Sequence, residues 1–436
     1  MANISSQIAL STLLSIGGIM ALSFATPVFA TQTTSNAQIN RLRAQGYPGI
    51  EQFLKINGTE MAGLRTQPDN PRWQELTQTL DKICKQRDCE ASRLYWYTDL
   101  DKAKQAAAAS NKPILSLRLL GNLDEELSCA NSRFFRITLY SHPEIAKLLR
   151  DKYVLHWQSV RPVPKITIDF GDGRKLQQTI TGNSIHYILD KTGRPIDGLP
   201  GLYAPQAFNR HLTQGAEFVA KYHQLADKDR QNAIDTYHQN QLTNLQANWK
   251  QDLAKLGVSL TPISTSVRST GSNPSAIVAS NVAVTKSGIE LPILRRTSTF
   301  SQQSDLLARS TDDALWAKLG ELHQQDAVLA ENSLQLMRRK QPQLASLTAK
   351  DKNANIDPIP ELITKFQKLI AIDSIRNEYR LHSQIHEWLI GSASTDLDSL
   401  NARVYDRLFL TPQSDRWLGL MPGDGYTGID RDGIMK

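Results

Sequence analysis

The chain has 436 residues, 40% of them hydrophobic and 21% charged, which is ample for a packed core spread over roughly two or three domains. Its 50 Lys and Arg against 43 Asp and Glu leave a formal charge of +7. The basic residues are dispersed, and the densest spots, Arg295-Arg296 and Arg338–Lys340, are too short for a nucleic-acid stripe. The charge therefore reads as a solubility feature, and no nucleic-acid partner is expected.

Residues 1–30 contain no Asp, Glu, Lys or Arg. An apolar stretch near Ile8–Phe24 is followed by Val28-Phe29-Ala30, a small-x-small sequence. This pattern predicts a secretory signal peptide, the alternative being an uncleaved anchor. No later stretch is long and apolar enough to span a bilayer. The expected destination is a periplasm or another extracytoplasmic lumen. In that oxidising setting Cys84 and Cys89 are expected to form a short-loop disulfide, with a second redox centre as the alternative. Cys129 is left as the odd cysteine.

Residues 31–93 read as a helical and extended segment, polar as far as Asn70 apart from amphipathic turns such as "IEQFLKI". The clear helix there is "NPRWQELTQTLDKIC", with Pro71 in the first turn and Trp73, Leu76, Leu80 and Ile83 at helical spacing. From residue 94 to 213 strands and helices alternate. "RLYWY" is a short strand, and "TDLDKAKQAAAASN" is a helix capped by Thr98 or Asp99. "KPILSLRLL" is a strand, "HPEIAKLLRDK" a helix and "YVLHWQSV" a strand. "KITIDFGDGRKLQQTI" is a hairpin, and "SIHYILDKTGRPIDGL" is a strand with its return. A helical extension covers 214–256. Residues 257–300 form a Ser/Thr/Pro-rich linker. Residues 301–436 form a mainly helical domain whose apolar, Gly/Pro-containing tail is expected to dock as an irregular arm.

The stretch "LYWYTDLDKAKQAAAASNKPILSLRLLG…SCANS" resembles exported thioredoxin-like domains. "ITGNSIHYILDKTG" resembles the later strand-and-turn stretch of the same family. The likeness covers roughly Leu94–Leu212. It implies an α/β thioredoxin-like domain, a central mixed sheet with flanking helices, followed by the mainly α-helical domain. It places Cys129 where the attacking cysteine of a C-x-x-C motif stands and Ser132 where the resolving cysteine stands. Ser184 falls where the family has a cis-proline, and Asn183 with Ser184 would bind substrate. The second thiol and the proline are absent, and a cis bond without proline costs about 2.5–4 kcal/mol.

A thiolate at Cys129 would be favoured by a helix N-terminus, by Arg133 and Arg136, and by a hydrogen bond from Ser132. Asp124, Glu125 and Glu126 oppose it. One thiol with a serine partner can form a mixed disulfide with a protein thiol or disulfide but cannot resolve it internally. The rival readings are a small buried hydrophobe and a partner-sensing thiol.

Glu378, His382 and His386 stand four apart on one helical stripe and are weak metal candidates, with boundary packing as the alternative. "DRDG" at Asp430–Gly433 fails as a calcium loop. "FGDGRK" is a turn, and no cofactor motif occurs, so no cofactor is expected. Two functions remain open. One is an exported thioredoxin-like protein doing monothiol exchange through Cys129. The other is a non-catalytic binding or scaffold protein for an unidentified protein partner, with no stable membrane span after signal cleavage.

Overall fold

The computed structural model describes residues 35–259, 286, 313–340, 359–392, 396–418, 420 and 429. The predicted signal peptide and most of the predicted linker lie outside them. Four helices come first: α1 (Asn36–Ala44), α2 (Tyr47–Leu64), α3 (Pro71–Cys84) and α4 (Cys89–Ser92). The stretch before Asn70 is thus more helical than its polar composition suggests. Ile39 and Leu42 of α1 and Ile50, Phe53 and Met61 of α2 are few, but each is buried against Trp73, Leu76, Leu80 and Ile83 of α3. Cys84 and Cys89 are disulfide-bonded and fully buried in this cluster. Arg43 donates to the carbonyls of Ile83 and Trp96, 2.9 Å each, and so ties these helices to the first strand.

The centre of the molecule is a mixed five-stranded sheet of β1 (Trp96–Tyr97), β2 (Ile114–Leu120), β3 (Val154–Arg161), β6 (Ser184–Leu189) and β7 (Pro195–Pro200). Their spatial order is β1-β3-β2-β6-β7. β1 and β2 run parallel to β3, whereas β6 runs antiparallel to both β2 and β7. Every residue of β2, β6 and β7 is buried, because the sheet is covered on both faces. The hairpin β4 (Lys165–Asp169) and β5 (Lys175–Thr179) stands apart as its own two-stranded sheet. Helix α5 (Leu100–Ser110) starts at Asp99, whose side chain accepts from two backbone N–H groups. Helix α6 (Ala130–Phe134) runs into a π-helical turn, Phe135–Tyr140, and α7 (Pro143–Lys152) leads back to β3.

Helices α8 (Pro205–Tyr222) and α9 (Asp227–Lys255) follow the sheet. The next stretch breaks into α10 (Asp313–Leu322), a 3₁₀ turn at Gln324–Ala327 and α11 (Glu331–Lys340). The turn is pinned by Asp326, which pairs with both terminal nitrogens of Arg210 at 2.8 and 2.6 Å. Further along, one long helical run forms. It comprises α12 (Ile359–Arg376), a π-helical turn (Asn377–His382) and α13 (Ser383–Leu389). Helix α14 (Leu397–Arg407) and the arm after it come last. Leu381, Ile385, Leu400, Val404 and Phe409 belong to the same apolar cluster as the sheet, so the late helices share its core. Among the described residues no helix is long and apolar enough to cross a membrane.

The turn after β7 fixes how the late helices sit. Gly201 has φ +80°, and a Cβ there would lie 2.4 Å from Nδ2 of Asn377. That amide donates to the Leu202 carbonyl at 2.8 Å. Gly201→Ala combines a left-handed backbone with a steric clash, and we expect it to lower unfolding free energy by about 1–3 kcal/mol. A fall in the urea midpoint without a change in slope would register it.

Candidate functional site

Cys129 is the N-cap residue of α6, directly after the loop that leaves β2. Its sulfur lies 3.0 Å from Ser184 Oγ and 3.4 Å from Ser132 Oγ. The three residues carried over from the family motif therefore meet, although β6 is far away in sequence. No cis peptide bond occurs among the described residues. Ser132 has one hydroxyl hydrogen, and its oxygen is 2.7 Å from Ser128 Oγ and 2.9 Å from the Cys129 carbonyl. Toward the sulfur it stands as an acceptor. Arg133 reaches Thr179, and Arg136 donates to the carbonyls of Glu125 and Glu126 and pairs with Asp88. The acidic loop is also gripped by Lys85, Arg87 and Lys340. Arg136 thus serves the loop before the cysteine, whereas Arg133 reaches β5.

The thiol has no exposed surface. Asn183, the neighbouring substrate-binding candidate, is occupied by its own chain. Its Nδ2 donates to Thr411 Oγ1 at 2.9 Å and its Oδ1 accepts from Lys286 at 2.5 Å. Its carbonyl accepts from Tyr405 at 3.0 Å. Arg161 of β3 donates to the carbonyls of Thr411, Pro412 and Asp415, which holds the arm in place. Residues 411–415, the first part of the predicted arm, thus lie at the strand end near Asn183; most of the rest of the arm lies outside the described residues.

A second group of side chains forms where the late helices meet β7. Asp197 sits mid-strand and 2% exposed. Its Oδ1 accepts from Gly198 N–H at 2.7 Å and lies 2.8 Å from His382 Nε2. Its Oδ2 accepts from Tyr237 of α9 at 2.8 Å. His386 Nδ1 stands 3.8 Å from the same Oδ1 and 2.9 Å from His238 Nδ1. All three imidazoles are almost fully buried. Burial works against the Asp197 carboxylate, but His382 and His386 beside it hold its pKa well below the usual range. Burial pushes the His238 imidazole down to about 4, and burial together with His382 pushes His386 well below its ordinary value.

Of the sequence-stripe residues, His382 and His386 join this group, whereas Glu378 faces His211 at 3.7 Å. Asp197 supplies the carboxylate instead. Sequence reading missed Asp197, His238 and Tyr237. The available signal was an acidic residue inside the apolar run "PIDGLP". His382 and His386 also line a cavity of roughly 280 Å³, together with His211, Glu378, Asn244 and Asn248.

At the edge of this cavity Asp252 accepts from Tyr379 and lies against His323 Nε2, both at 2.6 Å. Burial raises the Asp252 pKa, but hydrogen bonds from His323 and Tyr379 bring it below 3.8. The bond to Asp252 lifts His323 above 6.5 despite burial. Asp252 therefore stabilises the fold above its unfolded value and loses that contribution as pH falls through its lower folded value. His323 contributes below its unfolded value and loses it as pH rises through its higher folded value. The Tm gap between wild type and His323→Gln should be widest at about pH 4–6.5 and narrow above that, which a pH series of thermal melts would check.

No protein-family model matches the chain, and no curated protein matches it.

Proposed function

We propose that this chain is an exported thioredoxin-like protein that works by binding a protein partner and not by thiol-disulfide catalysis. The strand order β1-β3-β2-β6-β7 and the meeting of Cys129, Ser132 and Ser184 support the thioredoxin-like part of this reading. The observation that carries the rest is the full burial of the Cys129 thiol. Exchange needs a thiolate in line with a substrate disulfide, and a thiol with no exposed surface offers no such approach. Free cysteine is a common core residue, and here it packs with Ala130 in the main apolar cluster. Monothiol exchange is the second reading, favoured by the 3.0 Å contact between the sulfur and Ser184.

Alkylation separates the two. With Cys84–Cys89 left oxidised, native protein should take up no iodoacetamide over hours, and one equivalent once denaturant is added. Native labelling with a rate that titrates near neutral pH would overturn the binding-only reading and restore exchange through Cys129.

A further inference from the structure

The Asp197 group has a property that hydrogen bonding alone does not explain. Three buried imidazoles and one carboxylate converge from three parts of the chain: β7, α9, and the run from α12 to α13. One donor atom each from Asp197, His382 and His386 lie within 4.8 Å of one another. The His386 Nδ1 to Asp197 Oδ1 separation, 3.8 Å, is too long for a hydrogen bond. Two ligands about 2.0–2.1 Å from one ion stand roughly 3.3 Å apart at a tetrahedral angle and about 4.1 Å apart when opposite, so 3.8 Å falls between these limits.

We propose that Asp197, His382 and His386 bind a divalent metal ion of the zinc class. Two imidazoles and one carboxylate are a borderline donor set, suited to zinc and its transition-metal neighbours and unsuited to calcium or magnesium. The carboxylate is already oriented from behind, since Gly198 N–H holds Oδ1 and Tyr237 holds Oδ2. His238 is the nearest further donor. Both ligand histidines line the 280 Å³ cavity, which gives the ion its route in and leaves a coordination position for water or a small ligand. Metal entry replaces the contact between His382 and Asp197, and His382 then ligates through Nε2 as a neutral imidazole with its ring proton on Nδ1. This site is independent of Cys129 and stands whether or not that thiol reacts.

The test uses the full mature chain, stripped with chelator and titrated with Co²⁺ and then Zn²⁺. We expect one Co²⁺ per chain with a visible d–d band, its displacement by one equivalent of Zn²⁺, and a rise in Tm with zinc. His386→Gln and Asp197→Asn should abolish the band. Tyr237→Phe keeps the bulk of the side chain and should weaken affinity by about 10–100-fold, so the proposal stays open to refutation if the ligand variants do not fold. His223→Gln, outside the group, should leave binding unchanged. Wild type that shows no band and no Tm change at millimolar zinc would overturn the site. So would binding that survives both ligand variants, which would mark adventitious surface binding and leave the triad as a structural network.

Discussion

A carboxylate in the middle of a buried strand is the constraint on which the arrangement of the helices depends. Asp197 lies on β7, where both neighbours in the strand face covered surfaces. An unpaired ionised carboxylate there would cost several kcal/mol. Tyr237 and His382 meet it from α9 and from the π-helical turn. Those two contacts set how far α9 and α13 can slide over the sheet, and His238 then falls against His386. The cavity beside them is the space left when polar side chains, and not apolar ones, line the junction.

The other end of the same sheet solves a comparable problem with both side-chain and backbone groups. Asn183, Arg161 and Arg118 are buried or half-buried polar residues at the edge of β2, β3 and β6. Each takes its partner from α14 or the arm: Asp398 for Arg118, Tyr405 and Thr411 for Asn183, and three carbonyls for Arg161. Burial lowers the Arg118 pKa, and the nearby Asp398 carboxylate opposes that shift. The segment is therefore part of the sheet's polar accounting. Its removal would take away the Asp398, Thr411 and backbone-carbonyl partners of Arg118, Asn183 and Arg161 together.

Local elements were readable because their signals are local. Asp99 and Pro143 mark helix starts, Gly193 marks the turn between β6 and β7, and the apolar run of β2 marks a doubly covered strand. The approach of Ser184 to Cys129 was readable only through a family pattern, since nothing within 55 residues of chain dictates it. Helical spacing correctly put His382 and His386 on one stripe. Spacing says which side chains share a face, not what that face meets, so Glu378 was grouped with them and Asp197, 185 residues from His382, was not. Helices α1 and α2 were under-read because their buried apolar residues, Ile39, Leu42, Ile50, Phe53 and Met61, are spread among polar ones.

The long reach of these contacts bears on how the chain acquires its fold. Arg118 and Asp398 are 280 residues apart, and Asn183 and Thr411 are 228 apart. A chain made from its N-terminus completes β2 and β6 long before their partners exist. During that interval Arg118, Asn183 and Arg161 lack the partners that α14 and the arm supply. Closing such large loops is slow, because the entropy is lost before the contacts reward it. The sheet's polar groups therefore cannot all be satisfied until residues beyond 397 have been made.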